Sequence, residues 1–229
     1  MSVFFRRRGE PPATFDAIFS NNSWDAIIAA CQSGRVPDSW AVGDSKMMTI
    51  NGTDYQIDII GKNHDTYTAG GTAPLTFQMH DCYATTYAMN ISFINSGGWT
   101  NCAMRRTHLS VILALMPTEV QNGIREVNKL TSAGSQSATI NTTADKLFLL
   151  SEIEIFGRFT YSKAGEGNQY AYYSSGNSKV KNMSGQAYTW FERSPYGGDS
   201  ASFCYVDRNG NATTAVASAS IGVSFGFCF

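Results

Sequence analysis

The chain has 229 residues, of which 43% are hydrophobic and 15% charged, with a net charge of −1. That length and apolar content suit one domain with a sizeable core and argue against long disorder. The near-neutral balance gives no sign of a nucleic-acid or anionic-membrane partner, since the one basic cluster is Arg6-Arg7-Arg8. Residues 1–14 read as a leader or attachment segment ending at Pro11-Pro12, and residues 15–229 as a single domain. Gly9-Glu10-Pro11-Pro12 stands where a signal peptide needs an apolar stretch, so manufacture in the cytoplasm without a signal peptide is expected. Ser23-Trp24 to Cys31 predicts a short helix, capped by Ser23 and stopped by Gly34 and Pro37; Trp24, Ile27, Ile28 and Cys31 form its apolar face. Met47–Ile50 and Tyr55–Ile60 flank Asn51-Gly52, a hairpin-turn signal. Leu75–Met79 reads as another strand. Gly97-Gly98-Trp99 reads as a turn into a helix over Cys102–Leu115, which Pro117 ends. A second helix is expected over Thr118–Lys129, with Thr118 as cap and Val120, Ile124 and Val127 inward. Asp145–Leu150 is a strand-like apolar run, and Glu152–Gly157 follows with alternation. From there to Trp190, Tyr, Ser, Gly and Asn predict loops and short strands. One α+β domain is the simplest account.

The five cysteines are dispersed and odd in number, without CxxC spacing, which favours buried free thiols over a disulfide framework. The histidines, His64, His80 and His108, show no converging ligand spacing, so no metal and no cofactor are expected. No P-loop, GxSxG or dinucleotide fingerprint occurs, and the chain is not expected to be an enzyme.

An ordered set of motifs runs through residues 40–229: Ala41-Val42-Gly43-Asp44, Ile59 to Asp65, Gly97-Gly98-Trp99, Met104-Arg105, Asp145 to Ser151 and Trp190 to Ser194. It resembles a domain family common in bacteriophage, prophage and bacterial surface proteins. Trp190 to Tyr196, Phe203 to Gly210 and Ile221 to Phe227 are similar to the variable region of proteins diversified by diversity-generating retroelements, in which a reverse transcriptase misreads template adenines. The resemblance implies an α+β, C-type-lectin-like fold with two helices, short and mostly antiparallel strands, and a loop-rich C-terminal half. It also implies a variable region at about 190–229, on one exposed surface. Pyrimidine-ending AAC or AAT template codons never mutate to Lys, Glu, Gln, Met or Trp, and none of these occurs from Arg193 to Phe229. Glu192 does not fit such a codon, so it lies outside the varied set or has a different template codon.

A face that tolerates many sequences must take its core and main-chain bonds from the scaffold. Trp190, Phe203, Val206, Val223, Phe225 and Phe227 are the expected inward anchors. The residues expected to face out and bind ligand are Glu192, Gly197, Gly198, Asp199, Ala201, Tyr205, Asp207, Arg208, Ala212, Thr213, Thr214, Val216, Ala217, Ala219 and Ile221. The implied partner is a protein or glycan on a target cell surface, met from a phage tail or bacterial surface, with a homo-oligomer or particle attachment as further expectations. No Glu-Pro-Asn or Gln-Pro-Asp tripeptide supports calcium-dependent sugar binding. The alternatives are an oxidase of the formylglycine-generating type, with Cys204 and Cys228 as its thiols, or another enzyme on the same fold, and an invariant structural surface domain.

Overall fold

A computed structural model describes residues 14–229. The expected attachment segment therefore lies, but for Thr14, outside the described residues. The first helix, α1 (Trp24–Gln32), begins where Ser23 accepts a hydrogen bond from the Ala26 N–H at 3.1 Å, and Gly34 ends it at φ 66°. Its Trp24, Ile27, Ile28 and Cys31 are all buried.

Strands β1 (Ser45–Ile50) and β2 (Thr53–Lys62) form the expected hairpin. Asn51 and Gly52 both take positive φ, the geometry that a two-residue turn between right-twisted strands requires. β3 (Leu75–Met79) pairs with β2, and the C-terminal strand β11 (Gly226–Cys228) pairs with β3, placing Phe227 opposite Phe77. The result is an antiparallel sheet of order β1-β2-β3-β11. On it sit stacked and tilted rings: Phe77 lies 5.3 Å from Phe227 and 5.2 Å from Phe229, and Trp24 of α1 lies 6.0 Å from Phe77. The chain's last residues thus close the core that its first helix opens.

The middle of the chain departs from expectation in four places, each for a tertiary reason. The helix expected over Cys102–Leu115 is preceded by a short α2 (Gly98–Asn101); Cys102 is extended, and a π-helical segment Met104–His108 leads into α3 (Leu109–Leu115). The helix expected over Thr118–Lys129 stops early as α4 (Thr118–Gly123), where Gly123 backs against Ile28 of α1. The chain then turns extended: the Arg125 N–H bonds the Cys228 carbonyl, and β4 (Val127–Ser132) pairs with β5 (Ile140–Asp145). Val120, Ile124 and Val127 are buried as expected, the last two from extended backbone. The apolar run after Asp145 leaves the sheet; only Phe148 continues pairing, exchanging two main-chain bonds with Gly226. Glu152–Gly157 is helical, not alternating: α5 (Glu152–Phe156) starts with a reciprocal capping box between Ser151 and Glu154 and ends at Gly157 with φ 70°.

After α6 (Ala171–Ser174) and the small hairpin β6 (Lys181–Met183)–β7 (Gln186–Tyr188) come β8 (Trp190–Pro195), β9 (Ser202–Val206) and β10 (Ala212–Val216). The last three form a sheet of order β10-β9-β8. The described residues are α+β, with small antiparallel sheets and six α-helices rather than two. No helix among them is long and apolar enough to cross a membrane.

Candidate functional site at the C-terminal face

All six expected anchors are completely buried. They fix a frame in which β8 is the inner strand, β9 the middle one and β10 the free edge. Alternation along the strands does not decide exposure here. Tyr205 and Phe203 point to the same side of β9, yet Phe203 is buried and Tyr205 is half-buried. Exposure grows across the sheet toward β10, whose residues are half-buried or exposed on both sides.

Three residues expected to face out are instead in the core: Glu192, Ala217 and Ile221. Ala217 and Ile221 belong to a segment held between two others. The Asn90 N–H bonds the Ala217 carbonyl, Tyr87 and Ile221 exchange both main-chain bonds, and the Phe191 N–H bonds the Gly222 carbonyl. Glu192 is buried by a bulge. Phe191 faces Tyr205 and Pro195 faces Phe203, so Glu192, Arg193 and Ser194 stand opposite Cys204 alone, two residues in excess on β8, and all three are fully buried.

Arg193 explains why the bulge is tolerated. Its guanidinium donates to the Leu149 and Glu166 carbonyls at 2.9 and 3.1 Å, to Thr131 Oγ1 at 2.9 Å and to both oxygens of Glu154. Glu154 also pairs with Lys129 Nζ at 2.7 Å, and Lys129 reaches Asp65 at 2.8 Å. The Tyr170 hydroxyl donates to Asp65 at 2.8 Å. Burial opposes ionisation of Asp65, but Lys129 and the Thr76 hydroxyl hold its carboxyl down at about 2. Two cations and two carboxylates therefore tie β4, α5 and β8 into one block. Glu192 has no such support: neither carboxylate oxygen has a hydrogen-bond partner. Burial, with Glu152 and Glu166 nearby, pushes its carboxyl well above the ordinary value. Glu166 is raised to about 7, again chiefly by burial.

The remaining candidates form the rim. Gly197, Asp199 and Ala201 are half-buried and Gly198 is exposed, all in the turn between β8 and β9. Neither glycine needs a left-handed backbone; an added Cβ would meet the Lys163 side chain at Gly197 and the Tyr196 ring at Gly198. Asp199 accepts from the Ala201 and Ser202 N–H groups at 2.8 Å. Burial works against its charge, but these bonds hold its carboxyl below the ordinary range. Asp207 organises the β9–β10 turn in the same way, accepting from the Asn211 and Asn209 N–H groups at 2.8 Å. The Asn211 N–H is the main reason its carboxyl is lowered. These two aspartates shape turns as well as presenting charge. Arg208 and Val216 are exposed; Tyr205, Ala212, Thr213, Thr214 and Ala219 are half-buried. Tyr205 and Thr213 face each other across the β9–β10 register. Beside Ala212 and Asn211, Phe156, Arg158, Thr160 and Tyr161 wall a cleft of about 240 Å³.

Asn95 is the residue that sequence reasoning missed. It is fully buried, 101 to 107 positions before the turn it supports, and its side-chain amide donates to the carbonyls of Tyr196, Asp199 and Ser202 at 3.4, 3.2 and 2.8 Å. Its amide oxygen accepts from the Ser135 N–H at 2.7 Å, and its own N–H reaches the Ser200 carbonyl at 2.8 Å. Every one of these partners is main chain. Its position beside Gly97-Gly98 is the only local signal.

The cysteines and histidines do not assemble into a second site. All five thiols are buried and free. Burial drives the Cys204 and Cys228 thiols well above their ordinary value. His64 stacks on Tyr170 at 4.0 Å, His108 on Tyr87 at 4.5 Å, and His80 contacts Asp58 at 2.7 Å. Among the described residues no group of three His, Cys, Asp or Glu is placed to hold a metal.

No curated protein and no solved structure matches the chain. Residues 76–228, from β3 through β11 and including Asn95, Lys129, Glu154, Arg193 and the C-terminal face, match the family described as Domain of unknown function (DUF6273). The chain belongs to the DUF6273 family.

Proposed function

We propose that the chain is a ligand-binding protein of C-type-lectin-like fold, whose C-terminal face is diversified by a retroelement and recognises a protein or glycan on a target cell. The bearer is a phage particle or a bacterial surface. The observation that carries this reading is the way the face is supported. The turn 196–202 is held through its carbonyls by Asn95, and β10 is held through its main-chain pairing with β9. The side chains of Arg208 and Val216, which are exposed, and of Thr213 and Thr214, which are half-buried, can therefore change while the backbone stays in place. Tyr205 and Arg208 are the residue types that dominate binding hot spots.

Sequencing the flanking DNA tests the diversification. A near-copy of the codons for Trp190 to Phe229, differing at adenines and adjoining a reverse transcriptase gene, is the expected finding. Sister copies should then differ at the rim positions and agree at Glu192, Ala217 and Ile221. Copies invariant at Tyr205, Arg208 and Thr213 would make this a structural surface domain instead.

A further inference from the structure

Beside the C-terminal face stands a loop, Asn90 to Asn95, that carries three large apolar side chains into solvent. Ile91, Phe93 and Ile94 are exposed at 96%, 66% and 49%. Exposed apolar residues are ordinary when they stand singly; three within four residues form a patch. The loop is closed at its base. The Asn90 side-chain amide donates to the Ile94 carbonyl at 2.6 Å, and its oxygen accepts from the Ala103 N–H at 3.1 Å. Inside the loop, the Ile94 N–H bonds the Ser92 carbonyl at 2.8 Å. Two further main-chain bonds seat it against the rim: the Asn90 N–H on the Ala217 carbonyl at 2.9 Å, and the Asn95 N–H on the Ser200 carbonyl at 2.8 Å. Ala217 follows Val216, itself exposed at 41%. The apolar tip is therefore held in shape, and its exposure does not come from a slack chain.

The surroundings carry almost no charge. No charged side chain occurs from Cys82 to Met104 or from Asn209 to Phe229. The turn 196–202 contributes Asp199 alone, and its carboxylate is occupied by the Ala201 and Ser202 N–H groups and the Ser202 hydroxyl.

We propose that this loop is a self-association surface, joining two copies of the chain about a two-fold axis with Ile91, Phe93 and Ile94 of one copy against the same residues of the other. Across a two-fold axis each patch meets itself, so a charged patch would repel its own copy, and an uncharged apolar one does not. The chain's net charge of −1 adds little repulsion between copies. The three loop residues and Val216 expose on the order of 500 Å², so two facing copies would cover about 1,000 Å². That is the lower bound for a specific interface, and it sets a weak, concentration-dependent dimer. A lipid surface fits less well, because these segments hold no Lys or Arg to meet anionic headgroups. In the proposed binding role, the pair would present two C-terminal faces together, and the turn after β9 would stay free because it lies at the other end of the strand from turn 196–202. The contact itself does not depend on that role.

Sedimentation velocity of the full chain from about 1 to 500 µM tests this. The weight-average mass should climb with concentration from 25.0 kDa toward twice that value. Ile91→Ser and Phe93→Ser, both at exposed positions, should each weaken the dimer about tenfold or more, and the double substitution should stay monomeric. Val111→Ser, at an exposed position on α3, should leave association unchanged. Raising the salt to about 1 M should not weaken an apolar contact. A parent chain that is monomeric throughout, or a dimer indifferent to the loop substitutions, overturns the assignment. A monomeric parent that floats with phosphatidylcholine vesicles, and loses this with Phe93→Ser, would give the loop to a lipid surface instead. None of these outcomes bears on whether the C-terminal face is diversified.

Discussion

Glu192 is the least comfortable residue in the protein. Its carboxyl is fully buried without a hydrogen-bond partner, next to Glu152 and Glu166. A carboxyl whose folded pKa is raised stabilises fully below its unfolded value near 4.5, and that stability is lost as pH rises toward the folded value. Glu192 and Glu166 are both raised, so the chain should lose stability steadily from about pH 4.5 through neutrality. Glu166 alone, raised to about 7, accounts for on the order of 3 kcal/mol of that slope. Glu192→Gln, which keeps the shape and removes the titration, should flatten the profile in denaturant melts between pH 4.5 and 9. An unchanged slope would show that Glu192 is not the titrating group. Lys129 presents the opposite case, a buried cation with both partners in place. Lys129→Met leaves Asp65 with no cation and Glu154 with Arg193 alone, and should cost about 3–5 kcal/mol by the same melts.

At the scale of elements, the C-terminal face divides into what is braced and what is carried. Asn95→Ala removes the side-chain donor from the Tyr196, Asp199 and Ser202 carbonyls, of which the last keeps the Tyr196 N–H, at a cost on the order of 1 kcal/mol or more for each one left unpaired. Hydrogen exchange should quicken over 196–202 while β1–β3 stay protected; uniform quickening would mean that Asn95 serves global stability and not the turn. By contrast, substitutions at Thr213, Thr214 and Val216 should fall within about 0.5 kcal/mol of the parent, because edge strand β10 is held by its main chain. The helices show where period and tertiary pairing compete. Ser23, the Asn51-Gly52 turn and the Ser151–Glu154 box act where local chemistry puts them. The helical period from Thr118 onward gives way at Gly123, because β5 offers the following residues a full ladder. A pattern that repeats every three or four residues names the buried positions, yet Ile124 and Val127 meet it from extended backbone.

At the scale of the whole molecule, the C-terminal strand completes the central sheet. β11 pairs with β3, the Tyr67 hydroxyl donates to the Phe229 carbonyl, and Phe227 and Phe229 pack on Phe77. Phe227→Ala should therefore cost about 3–5 kcal/mol, and loss of residues 226–229 should prevent cooperative folding in a thermal melt. This closure separates the core from the rim: the last strand belongs to the central sheet, while β10 and the turns on either side of β9 reach the surface. The sequence by itself determined the anchors, the first hairpin, the first helix and the buried thiols, because burial of apolar side chains and turn chemistry are local properties. Only the tertiary structure decided that Glu192, Ala217 and Ile221 are inside, that exposure runs across the β10-β9-β8 sheet, and that Asn95 holds the face. Those outcomes depend on a bulge, on a main-chain ladder to residues 83–90, and on an amide more than a hundred residues from its partners. Contacts at that separation leave no period in the chain to read.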